Sequence, residues 1–128
     1  MALFDTDVLI DFLRGIEGAQ ELLLSFKYEK NYCSVITTGE VLFGMKESER
    51  EKTLTLFDNL IELEVSRRII RASYEVKKRA KGHHLELMDC IIAATALEQN
   101  FTLVTRNSKH YPDKRLKLFV PDYPTHLK

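Results

Sequence analysis

The chain has 128 residues, 19 basic and 19 acidic, so it carries no net charge at pH 7. That length suits one domain over 1–128 that buries a single core without staples. Charge balance excludes a global field that would draw it onto nucleic acid, so any such binding must use a local patch, and it favours self-association. No apolar run approaches the roughly 20 residues of a membrane span, and no basic segment precedes an apolar stretch and a cleavage site. Cys33 and Cys90 sit in apolar segments at neither disulfide nor metal-binding spacing. The expectation is a soluble cytoplasmic protein with two buried thiols.

In chain order, Ala2 to Phe4 reads as a short buried strand turning directly into a helix, with Asp5 at the junction. A buried ionised carboxylate costs several kcal/mol unless it is paired or metal-bound, while the plain alternative is that Asp5 or Thr6 caps the helix. Asp7, Asp11 and Arg14 share one helical face and Val8, Leu9, Phe12 and Leu13 the other; Asp11 and Arg14 read as an exposed pair, and Gly15 ends the helix. Ala19 to Phe26 continues as a second helix with Leu22, Leu23 and Phe26 inward. Tyr32 to Ile36 reads as a strand, after which Thr37 and Thr38 offer hydroxyl caps to a helix carrying Glu40, Val41, Leu42 and Met45. Glu40 thus opens a helix after a strand, as Asp5 does, though a first-turn glutamate is ordinary in itself.

Ser48 to Glu51 has the form of a capping box before a helix with Leu54, Phe57 and Leu60 inward, and Ile61 to Val65 is the third strand. Ser66 caps a long basic helix, ending at Gly82, in which Ile70, Tyr74 and Ala80 face inward. Its Lys77, Lys78, Arg79 and Lys81 form a solvated face near a helix C-terminus. His83, His84, His110 and His126 have no zinc spacing. Leu87 to Leu97 is apolar on every side except at Asp89 and Thr95, which marks a helix enclosed by the fold and makes Asp89 another carboxylate in apolar surroundings. Thr102 to Thr105 is the fourth strand, followed by Arg106, Asn107 and Ser108; Leu116 to Val120 is the fifth, before an irregular segment with Pro121 and Pro124. Alternating strands and helices predict an α/β fold with one parallel sheet between helical layers.

In such sheets ligands bind beyond the carboxyl ends of the strands, where the strand order reverses. Asp5, Glu40 and Asn107 each follow a strand, and Asp89 opens the helix before the fourth. Carboxylates gathered there with no interleaved Lys or Arg repel one another. Hard divalent cations with oxygen ligands, Mg²⁺ or Mn²⁺, resolve that conflict.

The segments FDTDVLID, TTGEVLFG, MDCIIAATAL and LVTRN, in this order, resemble the motifs of the PIN-domain family, and the layout from Leu3 to about Val120 is most similar to VapC-type toxins of toxin-antitoxin pairs. The resemblance implies a three-layer α/β/α sandwich with a mostly parallel five-stranded sheet of order 3-2-1-4-5. It also implies a metal-dependent ribonuclease acting on RNA, a homodimer and a cognate antitoxin partner. Acidic ligand roles for Mg²⁺ or Mn²⁺ pass to Asp5, Glu40 and Asp89. One departure is that many family members place a further Asp shortly after the fourth strand. Here Asn107 and His110 stand in that neighbourhood and the next acid is Asp113, so Asn107 is expected to offer the metal a neutral carbonyl. Asp7 is expected to cap the first helix or to orient Asp5, and Thr6, Thr38, Arg106 and Lys109 to hold phosphates at the rim. Two alternatives share the fold: a nuclease that matures cellular RNA, and a catalytically silent binding module. A phosphoacceptor receiver domain would need an Asp after the third strand, which here ends in Val65-Ser66.

Overall fold

The computed structural model describes residues 1–125; His126 lies outside them. Its strands and helices alternate as β1 (Ala2–Phe4), α1 (Thr6–Leu13), α2 (Glu17–Ser25), β2 (Asn31–Ser34), α3 (Val35–Gly44), α4 (Arg50–Asp58), β3 (Ile61–Leu63), α5 (Arg67–Arg79), α6 (Leu87–Gln99), β4 (Thr102–Val104) and β5 (Lys117–Phe119). Single 3-10 turns lie at Glu47–Glu49 and Ser108–His110.

All pairings in the sheet are parallel, in the order β3-β2-β1-β4-β5. β1 is therefore central, with Leu3 opposite Tyr32 on one side and Leu103 on the other, and every residue in it is buried, as a strand covered on both faces requires. Successive side chains enter opposite faces. Leu3 and Leu103 join Ile69 and Val76 of α5, Ile91 and Ile92 of α6, and Phe101. Phe4 and Val104 join Val8 and Leu9 of α1, Leu22 of α2, Val41 of α3, and Leu56 and Phe57 of α4. Two cores back to back make the three-layer sandwich. The strand order reverses between β1 and β4, so a crevice opens where those two strands end.

Local chemistry moves several boundaries from those read in the sequence. β2 stops at Ser34, whose hydroxyl oxygen accepts the Ile36 N–H at 3.1 Å and starts α3; Ile36, Thr37 and Thr38 are therefore helical. The capping box sits two residues earlier than Ser48–Glu51 suggests, with the Glu49 carboxylate accepting the Lys46 N–H at 2.7 Å, and α4 turns Thr53, Leu56 and Phe57 inward while Leu54 faces out. In α5 the buried face is Ile69, Ser73, Val76 and, just past its end, Ala80; Ile70 and Tyr74 point outward, one position out of phase with the expected stripe. A polar residue can sit on that face because the Ser73 hydroxyl donates to the Ile70 carbonyl at 2.6 Å. Both cysteines are buried and free, and burial pushes the Cys33 thiol up to about 12.

Candidate functional site

Asp5 leaves β1 with its N–H bonded to the Val104 carbonyl at 2.9 Å and becomes the N-cap of α1. It is 6 % exposed. One carboxylate oxygen, Oδ1, accepts the Thr6 N–H at 2.8 Å; Oδ2 accepts the hydroxyls of Thr105 at 2.8 Å and Tyr111 at 2.9 Å. Asp5 is thus both a cap and a buried carboxylate, held by three neutral donors and by no cation. Two bonds fill Oδ2, whereas Oδ1 keeps a lone pair.

The other acids gather from different elements. Glu40 on α3 accepts the Thr6 hydroxyl on Oε1 at 2.7 Å, and Thr37 Oγ1 lies 3.1 Å from the same Thr6 oxygen. Asp89 stands in the first turn of α6, its Oδ2 3.4 Å from His110 Nδ1. Burial pushes the Asp89 carboxyl up, His110 opposes that shift, and the charges of Asp5 and Glu40 add to it. The three acids therefore share one electrostatic space. Asp7, in the first turn of α1, is raised to about 6 by burial and by the charge of Asp5, against hydrogen bonds from the N–H groups of Arg106 and Val8.

Among the described residues, no three His, Cys, Asp or Glu side chains stand at ligand distance around one point. The donor set nonetheless suits a hard divalent cation. Asp5, Glu40 and Asp89 offer oxygens with unused lone pairs, and no Lys or Arg among the described residues pairs with them. Asp113 does not supply the missing fourth acid. Arg115 grips it with two bonds of 3.0 and 2.8 Å, Arg79 lies 3.7 Å away, and the Arg115 hydrogen bond holds its carboxyl below the usual range.

The rim residues fare unevenly. Thr6 faces the acids through Glu40. The Thr38 hydroxyl is taken by Glu62 at 2.6 Å. Lys109 and Asn107 are exposed, and what ties Asn107 to the site is its backbone N–H, donated to Thr105 Oγ1 at 3.0 Å. Arg106 is not a free rim cation, because its Nε donates to Asp11 Oδ2 at 2.5 Å. That bond also corrects the reading of Asp11 and Arg14 as an exposed pair: Asp11 is 4 % exposed and takes Arg106 and the Tyr123 hydroxyl on one oxygen. Thr105, Tyr111 and Tyr123 are site residues that the sequence reading passed over. Their only signal was a hydroxyl directly after an apolar strand and two phenols among prolines and charges. A cleft of about 790 Å³ between α2 and α4 is lined by Phe12, Leu23, Leu24, Leu56 and Leu60 among others, and by none of the clustered acids.

Comparison with known proteins agrees with the fold. The PIN domain family matches residues 2–113. The chain is 34 % identical over 115 residues to Ribonuclease VapC10 of Mycobacterium tuberculosis, covering 88 % of this chain and 86 % of that protein. It is 31 % identical over 116 residues to Ribonuclease VapC19 of the same organism, covering 88 % and 93 % respectively. Among solved structures, a toxin-antitoxin complex from Klebsiella pneumoniae contains a chain 30 % identical, with a TM-score of 0.85 over 97 % of this chain and 100 % of that one. The match spans Asp5, Glu40 and Asp89 alike, and this chain belongs to the PIN-domain family.

Proposed function

We propose that the protein is a divalent-cation-dependent ribonuclease and the toxin of a toxin-antitoxin pair. The observation that carries this reading is the acid cluster at the switch point of the sheet, where Asp89 is shifted by the charges of both Asp5 and Glu40. It is supported by relatives named as VapC ribonucleases and by a similar chain solved in a toxin-antitoxin complex. Asp5, Glu40 and Asp89 would hold Mg²⁺ or Mn²⁺. Such a cation, when bound, supplies positive charge for the phosphate oxygens and acidifies water for in-line attack. Around it, Thr105 and Tyr111 fix the angle of the Asp5 carboxylate, and Thr6 fixes Glu40. Asn107 and Lys109 stand exposed on the same turn as His110, at hand for RNA phosphates or for a ligand shell. An antitoxin would place a basic side chain among the same acids, satisfying the charge that a metal satisfies.

Cleavage of total RNA should require Mg²⁺ or Mn²⁺, stop in excess EDTA, and fall at least about a hundredfold in Asp89→Asn, as loss of a group that acts in the transition state does. Undiminished cleavage in EDTA would overturn the mechanism.

A further inference from the structure

The turn between β4 and the 3-10 turn at Ser108–His110 carries much of the site without being part of any strand or helix. Thr105 Oγ1 donates to Asp5, the Arg106 N–H donates to Asp7, and the Asn107 N–H donates to Thr105. Something must fix this turn from the side away from the acids, because its residues 107–110 are exposed.

That hold is made by the segment after β5. The Tyr123 hydroxyl donates to Asp11 Oδ2 at 2.7 Å, Arg106 Nε donates to the same oxygen at 2.5 Å, and the guanidinium lies 5.9 Å from the centre of the Tyr123 ring. The ring reaches this position by lying across Gly18 of α2. A Cβ at Gly18 would stand 2.2 Å from Tyr123 Cβ, so the slot exists only because that residue has no side chain. Asp11 is thus a buried bracket with Tyr123 on one arm and Arg106 on the other.

We propose that Tyr123 is a positioning residue for the acid cluster, acting through Asp11 and Arg106, and that the segment after β5 is a strap holding the turn after β4 against Asp5 and Asp7. The proposal rests on the reading of Asp5, Glu40 and Asp89 as the reacting site. Tyr123 touches neither those acids nor any group that reacts. It restrains Arg106 from one side while Asp7 and, through Thr105, Asp5 hold the turn from the other.

Tyr123→Phe tests it, since the ring stays in its slot and only the hydroxyl goes. The kcat for RNA cleavage should fall about tenfold, what one net hydrogen bond to a charged group is worth, with KM within about twofold of wild type. Amide exchange should speed up by a similar factor at Arg106 and Asn107 and stay unchanged in α6. Gly18→Ala, which crowds the ring out, should lower kcat in the same direction. A folded Tyr123→Phe protein with wild-type kcat overturns the proposal. So does one whose exchange rises evenly through the whole chain, because that is the mark of a strap that only adds stability. Failure of the site reading looks different: Asp89→Asn would then cleave RNA as wild type does, and the exchange result at Arg106 and Asn107 would still report on the strap.

Discussion

Asp5 was visible in the sequence because a carboxylate following an apolar run demands an explanation, and the same holds for Asp89 inside an otherwise apolar helix. Glu40 was visible only through its position after a strand. What could not be read was the set of donors that makes the Asp5 position tenable. Thr105 and Tyr111 lie 100 and 106 residues away along the chain, and nothing in either residue type announces a partner at that distance. Asp11 was assigned to solvent and Arg106 to the phosphate rim, because pairing across 95 residues leaves no local pattern. These contacts set the first residue-scale prediction. Tyr111→Phe removes one donor from a buried ionised group and leaves Thr105 in place, so unfolding in urea should show a loss of about 1.5–3 kcal/mol. An unchanged midpoint would mean that the phenol does not hold the carboxylate.

At the scale of the element, chain order and a parallel sheet were legible from the alternation of apolar β-branched runs with helical patterns, whereas the strand order 3-2-1-4-5 came only from the resemblance to the PIN-domain family. Helix phase was not. In α5 the sequence offers Ile70 and Tyr74 as an inward pair, but packing on α6 selects Ile69, Ser73 and Val76, because the serine satisfies itself on the helix backbone and larger apolar residues are tolerated outside. A comparable outward stripe lies on α3. Val35, Gly39, Leu42 and Phe43 fall at helical spacing on its solvent side, and Phe43 is 98 % exposed. A near-neutral protein with such a stripe is suited to pairing with a second copy. Phe43→Glu should leave the monomer's stability within about 0.5 kcal/mol, since the side chain touches little, and, if copies pair through this stripe, should yield a monomer in light scattering where wild type gives a dimer. A dimer that persists with the glutamate in place would move the interface elsewhere.

For the molecule as a whole, the acids govern stability against pH. Asp7 titrates at about 6 in the folded protein against 3.8 in the unfolded chain, so between those values the native state binds the extra proton. Stability from this group is therefore present at low pH and lost as pH rises through about 6, and Asp89, also raised, acts in the same sense. Asp113, lowered, loses its contribution only in more acid solution. In EDTA the protein should melt lower at pH 7.5 than at pH 5.5. Asp7→Asn should flatten that slope, and saturating Mg²⁺ or Mn²⁺ should raise the pH 7.5 melting point by binding the native state. Calorimetry showing the same slope in the variant would discharge Asp7 from that role. The central position of β1 also sets a clock. The strand made first has no neighbour on one side until Thr102–Val104 is synthesised, and Asp5 lacks its hydroxyl donors until Thr105 and Tyr111 follow. At about 5–20 residues per second, the ribosome carries on for several seconds beside a nascent chain in which the carboxylates are present but unassembled. The acid cluster thus stays incomplete through most of the chain's own translation.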